Sequence, residues 1–230
     1  MTRPVSPYLV PGFYDKALAE GRHRDIVGGR WDETGRVQMQ ALRDAGMLPH
    51  HRLLDIGAGS LRLGCKAVPY LVPGNYWATD ASRALMLKGR SAELADPERL
   101  PQDHLIEDAD FTLPGVPDSI DYAIAFGVFT HLPLQVLDRA LSTLRPRLPQ
   151  LEKLLFTVFL APEPQADAPF RQADGVVTHP DRPPYHFTMG QVEAACKQHG
   201  WQVASLPMIL PRGQILFVAQ PGPCQTSNQT

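Results

Sequence analysis

The chain lacks any excess of cationic residues: 22 Lys and Arg stand against 24 Asp and Glu, a formal net charge of −2. No overall attraction to duplex nucleic acid or to an anionic membrane is therefore built in. Cysteine is scarce as well. Cys65, Cys196 and Cys224 are odd in number and far apart, which excludes a disulfide framework and a zinc site of the CxxC kind. Cys65 and Cys196 are expected as small apolar residues in helices. No apolar run reaches the ~18 residues of a membrane helix, and the start, Met1 to Pro7, lacks the apolar stretch of a secretory signal. The expectation is a cytoplasmic protein with no membrane partner. No His, Cys or carboxylate set has metal-ligand spacing, and no Gly-x-Ser-x-Gly nucleophile turn occurs.

What the chain does have is proline, 23 residues in 230, about twice the usual ~5%. Proline breaks helix interiors and sheet ladders, so its positions divide the chain. The window between Pro11 and Pro49 holds none and is long enough for two helices, parting near Gly28-Gly29. Residues 1–50 are thus expected as N-terminal cap helices. Beyond them the pattern becomes one of strands and helices in alternation. Arg52 to Ile56, Tyr76 to Asp80, Leu105-Ile106, Asp121 to Phe126 and Leu154 to Leu160 read as short buried strands. Leu61 to Leu71, a segment capped by Ser82, and the Leu134-Leu137-Leu141-Leu144-Leu148 stripe after Pro133 read as the helices between them. Such alternation signals a parallel α/β sheet.

Residues 161–186 carry six prolines and four acids with little periodicity, and a loop of that length is expected to cover a substrate. Thr188-Met189-Gly190-Gln191 has the form of a capping box opening a helix to His199. Two closing strands follow, near Val203 to Leu206 and Ile215 to Ala219. The polar residues 221–230 are expected to be a disordered tail.

In an open α/β sheet, ligands sit beyond the carboxyl ends of the strands. Four such ends here carry glycine or acid: Asp55-Ile56-Gly57-Ala58-Gly59, Thr79-Asp80, Glu107-Asp108-Ala109-Asp110 and Phe126-Gly127. Gly57 and Gly59 let a ligand approach backbone closely. Asp80, about 20 residues on, stands where a carboxylate accepts both hydroxyls of a ribose. A nicotinamide dinucleotide would need G-x-G-x-x-G, but Arg62 occupies the third glycine's place. S-adenosylmethionine instead needs a turn for its amino-acid end, a ribose acceptor and an acceptor for the adenine amine, the last two of which Asp80 and Asp108 are placed to supply. Asp55 is expected either to contact the cofactor or to fix backbone amides.

Leu53-Leu54-Asp55-Ile56-Gly57-Ala58-Gly59-Ser60, Ala78-Thr79-Asp80, Glu107-Asp108-Ala109, and Ile120 to Phe126 followed by Phe129-Thr130-His131-Leu132 resemble the ordered motifs of class I S-adenosylmethionine-dependent methyltransferases. The resemblance spans roughly residues 25 to 220. It implies a Rossmann-like sheet of seven strands, the last antiparallel, over residues 51–220, and S-adenosyl-L-methionine as cofactor. It further implies that Gly57, Ala58 and Gly59 flank the methionine moiety, that Asp80 takes the ribose diol, that Asp108 with the Ala109 backbone holds the adenine amine, and that Phe126 lines the pocket. Arg62, together with His23-Arg24, is a candidate for the cofactor carboxylate. Ser60 departs from the third glycine that many members have.

His131, near where an acceptor would sit, and Tyr185 and His186, beside the proline-rich loop, are the candidate general bases. The phenyl of Phe126 or the indole of Trp31 would favour a sulfonium electrostatically. With near-neutral charge and no appended nucleic-acid domain, the expected acceptor is a small molecule methylated on N or O. The alternatives are an RNA or protein substrate, or a catalytically inactive cofactor-binding partner.

Overall fold

The computed structural model describes residues 6–10, 12–208 and 210–222. Five strands run parallel: β1 (Leu53–Ile56), β2 (Tyr76–Asp80), β3 (Leu105–Glu107), β4 (Tyr122–Ala125) and β5 (Lys153–Leu160). Two short strands, β6 (Phe170–Arg171) and β7 (Val177–Thr178), pair as a separate antiparallel hairpin. Then come β8 (His186–Phe187), β9 (Trp201–Leu206) and β10 (Ile215–Pro221). The main sheet has the order β3-β2-β1-β4-β5-β10-β9, with β8 added to β5. The last strand, β10, is antiparallel to both of its neighbours. This is the mixed α/β sheet expected from the sequence, enlarged by β8.

The apolar strands explain the layering. Successive side chains of a strand point to opposite faces, so Leu54 and Ile56 enter one core and Leu53 the other. The first core is covered by α5 (Leu134–Arg147) and α6 (Met189–Gln198), through Leu137, Leu141, Val192 and Cys196. The second is covered by α2 (Trp31–Asp44), α3 (Gly64–Tyr70) and α4 (Arg83–Glu93), through Leu42, Val68 and Met86. The short α1 (Asp15–Ala19) precedes them. Local signals set the helix starts. The Ser82 hydroxyl accepts from Leu85 N–H, and Thr188 and Gln191 form a reciprocal capping box. Helix α3 starts only at Gly64, later than the periodicity suggests, because Leu61 adopts a left-handed conformation (φ 63°).

The proline-rich segment departs from expectation. Rather than a free loop, it is built into the sheet: β8 pairs with the end of β5, Phe159 opposite His186 and Leu160 opposite Phe187. A buried polar chain holds the hairpin beneath it. Gln172 Nε2 donates to the Leu160 carbonyl (3.1 Å) and to Thr178 Oγ1 (3.0 Å), and Thr178 Oγ1 lies 2.9 Å from His186 Nδ1. His186 Nε2, 3.1 Å from the Ala166 carbonyl, carries the proton that this acceptor requires. At the other end of the chain, Pro221 closes β10 instead of opening a tail, and residues 223–230 of that expected tail lie outside the described residues. No helix among the described residues is long and apolar enough to cross a membrane.

Candidate functional site

The strand order reverses between β1 and β4, and there, at the carboxyl ends of the strands, a deep cleft opens, as the fold predicts. Its floor is the turn after β1. Gly57 and Gly59 both take positive φ (70° and 57°), a region costly to residues with a Cβ. The Thr79 carbonyl accepts from Gly57 N–H (2.7 Å) and Ala58 N–H (3.1 Å), which fixes the turn to the end of β2. A Cβ on Gly57 would meet Val128, and one on Gly59 would meet Val27 at 2.7 Å. The glycines thus serve the packing of the turn as well as the approach of a ligand.

Asp80 ends β2. Its Oδ2 accepts from Gly59 N–H (2.9 Å) and its Oδ1 from Ser82 N–H (3.0 Å). Burial pushes its carboxyl up to about 6, against the pull of these backbone donors and that of Ala81. Asp55 is buried beside it, and Tyr76 Oη donates to its Oδ2 over 2.5 Å. Burial raises Asp55 to about 7, which the Tyr76 hydroxyl and then Arg62 moderate. At the end of β3, Asp108 organises its own loop: Oδ1 accepts from Asp110 N–H, Thr112 N–H and the Thr112 hydroxyl, while Oδ2 accepts only from Leu113 N–H (2.8 Å). Ala109 and Phe126 line the cleft beside it.

The roof is formed by the N-terminal segment, and polar groups of the sheet-end loops bind its carbonyls. Ser60 Oγ donates to the His23 carbonyl (2.9 Å), so the residue that stands in place of a glycine ties turn to roof. Arg62 Nη1 donates to the carbonyls of Val27 (3.0 Å) and Gly29 (3.1 Å), and Arg212 Nη2 to that of Gly28 (3.1 Å). Three cleft-lining residues carry a fully buried side-chain atom with no partner among the described residues: Ser6 Oγ, Gln38 Oε1 and Arg62 Nε. An unpaired buried polar atom costs about 1–3 kcal/mol, so the packing of roof on turn carries a local cost at these three residues.

His131 lines the same cleft, 4.8 Å from the Tyr8 ring of the roof and at a steep angle to it. Burial and the nearby Arg212 guanidinium bring its imidazole down to about 4. It is neutral at physiological pH and a weak base. Tyr14 also faces the cleft, and burial, Asp80 and Tyr8 all raise its phenol.

Several expected residues stand elsewhere. Tyr185 and His186 do not line the cleft: the Tyr185 N–H supports the turn before His131 by donating to the Thr130 carbonyl (2.8 Å), and both imidazole nitrogens of His186 are engaged in the hairpin. The expectation that either is a general base is therefore corrected. His23 and Arg24 turn away from the cleft to Glu93, which accepts from Arg24 in two bonds of 2.7 and 2.6 Å and lies 2.7 Å from His23 Nε2. Trp31 stacks under Arg24, 5.2 Å from the guanidinium carbon, and not against the cleft. Conversely, Ser6, Tyr8, Gln38, Arg212 and Gln214 line the cleft without having been singled out. No local signal marks them, since each arrives through contacts between distant segments.

Residues 54–149 match the family model of a methyltransferase domain. No curated protein matches the sequence significantly. Among solved structures, the magnesium protoporphyrin IX methyltransferase of Synechocystis PCC 6803, crystallised with S-adenosylmethionine, superposes with a TM-score of 0.63 at 14% identity, covering 96% of this chain and 100% of that one. The glycopeptide N-methyltransferase MtfA superposes with a TM-score of 0.56 at 17% identity, covering 84% of this chain and 91% of that one. At such identities the likeness speaks for the fold, and the family match speaks for the domain. Residues 54–149 are thus similar to a methyltransferase domain, and the sheet that contains them has the class I methyltransferase fold.

Proposed function

We propose that the cleft binds S-adenosyl-L-methionine and that the protein transfers its methyl group to an N or O atom of a small-molecule acceptor. The observation that carries this reading is the set of strand-end groups around one cleft: the Gly57–Gly59 turn, the Asp80 carboxylate at the end of β2 and the Asp108 carboxylate after β3. Arg62 and Gln38, which line the same cleft, suit the carboxylate and the ammonium of an α-amino acid.

The roles of the other residues follow from their free hydrogen-bonding capacity. Asp80, with backbone donors from Gly59, Ser82 and Ala81, keeps acceptor capacity for a ribose hydroxyl. Asp108 Oδ2, with a single donor, has room to accept from the adenine amine, and the Ala109 backbone adjoins it. Gly57, Ala58 and Gly59 keep side chains off the amino-acid end, and Phe126 closes the pocket beside it. When bound, the cofactor supplies an electrophilic methyl carbon on a sulfonium. The protein has then to align an acceptor behind that carbon and to exclude water, a contribution of positioning rather than of covalent chemistry. The roof of residues 6–10 and 12–30 covers part of the cleft and supplies the exclusion, and a partly covered cleft of this kind favours a small acceptor over a polymer. His131, neutral and facing the cleft, is placed to orient an acceptor and is a poor proton acceptor at pH 7.

Calorimetry with S-adenosylhomocysteine and with adenosine tests the assignment. Arg62→Gln and Gln38→Leu are expected to weaken S-adenosylhomocysteine at least fivefold each while leaving adenosine affinity unchanged. Equal losses for both ligands would remove the two residues from the amino-acid end.

A further inference from the structure

Arg212 is a second guanidinium in the cleft, and nothing in the cofactor reading uses it. It sits at the centre of the turn Pro211–Gly213 between β9 and β10, with φ 66°, a left-handed conformation for a residue that is not glycine. Such backbone strain persists only where the surroundings enforce it, and it clusters at sites that bind. Here the strain brings the Arg212 side chain over the cleft, where one of its N–H groups is fixed to the Gly28 carbonyl. Its remaining donors have no partner among the described residues, and no carboxylate pairs with it there. Its charge reaches Tyr8, Arg62 and His131, all of them lining the same cleft.

Two guanidiniums thus converge on one end of the cleft, with Asp55 the acid nearest to Arg62 and already engaged by Tyr76. If Arg62 serves the amino-acid carboxylate, Arg212 is left for a second anion. Around it the cleft is lined by aromatic rings: Tyr8 stands edge-on to His131 at 4.8 Å and stacks with Tyr14 at 6.4 Å, all three lining the cleft. Ser6, buried and two residues from Tyr8, lines the same cleft. A planar ring laid against these side chains and a carboxylate on the guanidinium fork would satisfy both features, since a fork of N–H donors matches a carboxylate better than any neutral group.

We propose that the methyl acceptor is a small aromatic acid whose carboxylate pairs with Arg212 and whose ring lies against Tyr8 and His131. The inference rests on the cofactor reading above and adds the class of the acceptor. It is tested on the full chain in two stages. S-adenosylhomocysteine is titrated first, and the loaded protein is then titrated with benzoate and, separately, with benzamide. Benzoate is expected to saturate the site and to bind at least tenfold more tightly than benzamide. Arg212→Gln is expected to erase that preference and Arg212→Lys to retain part of it, both with S-adenosylhomocysteine affinity within threefold of the parent. Benzamide binding as well as benzoate, benzoate failing to bind the loaded protein, or Arg212→Gln keeping the preference would each overturn the proposal alone. Failure of S-adenosylhomocysteine to bind in the first stage would overturn the cofactor reading and this inference with it.

Discussion

Gly89, in the middle of α4, lies against the carbonyl of Ser60, so close that a Cβ at position 89 would overlap the carbonyl carbon and oxygen. Helix α4 can therefore settle directly onto the turn that floors the cleft. In most helix interiors, replacing Gly by Ala gains up to ~1 kcal/mol. Here the backbone must move instead, and Gly89→Ala is expected to destabilise by about 1–3 kcal/mol, lowering Tm by several degrees. Gly190→Ala is the contrast. Its Cβ would meet the carboxylate end of the Glu163 side chain at 3.1 Å, which can shift, and the Thr188 hydroxyl at an ordinary 3.9 Å, and a small gain in Tm is expected. Thermal denaturation of both variants checks the pair.

The turn glycines make a related case. The sequence suggests that a bulky residue at Gly59 would block a ligand and leave the empty protein intact. The positive φ and the nearness of Val27 add a folding cost. Gly59→Val is therefore expected to lose both S-adenosylhomocysteine binding and at least ~1–2 kcal/mol of stability, read by calorimetry and by urea titration. Unchanged urea midpoints would restore the simpler view.

Protonation gives a third test. The Asp80 carboxyl is raised to about 6 by burial, and a ribose diol is best held by the ionised form. Affinity for S-adenosylhomocysteine is therefore expected to rise with pH through about 6 and to level off above 7, with Asp80→Asn weaker and flat over the same range. The stability of the empty protein moves the other way for this group. A carboxylate whose folded pKa exceeds its unfolded value holds extra protons in the folded state, so its contribution falls as pH rises from about 4 to about 6. His131, depressed to about 4, opposes that slope, its contribution rising from pH 4 to 6.5. In His131→Asn the decline of stability over this window should steepen.

The fourth prediction concerns the proline-rich segment. Because His186 joins Thr178 and the Ala166 carbonyl in a buried network, His186→Ala is expected to cost about 1–3 kcal/mol of stability and to leave S-adenosylhomocysteine affinity unchanged. A loss of affinity without a loss of stability would return the segment to the binding site.

These cases show what the sequence made legible. Strands such as Tyr122–Ala125 are continuous apolar runs bounded by turn residues, and the caps at Ser82 and Thr188 are local hydrogen bonds, so periodicity and capping chemistry reveal them. The acids and glycines at the strand ends are legible for the same reason: the fold fixes where a strand end must lie. Residues such as Gln38 and Arg212 are not, because what brings them to the cleft is the packing of a helix and a turn far apart in the chain. His23 and Arg24 look like ligands for a carboxylate and are, but the carboxylate is Glu93 at the end of α4. The segment 161–186 reads as a loop because its strands are only two residues long and its order comes from side-chain bonds that no periodicity records.

The most direct test of the account is a calorimetric titration of the unmodified protein with S-adenosylhomocysteine and, in parallel, with NADH. The account predicts saturable one-to-one binding of S-adenosylhomocysteine, weakened by about 1.5–3 kcal/mol in Asp80→Ala through the loss of charge-assisted hydrogen bonds, and no saturation by NADH. Saturation by NADH with no binding of S-adenosylhomocysteine would contradict it.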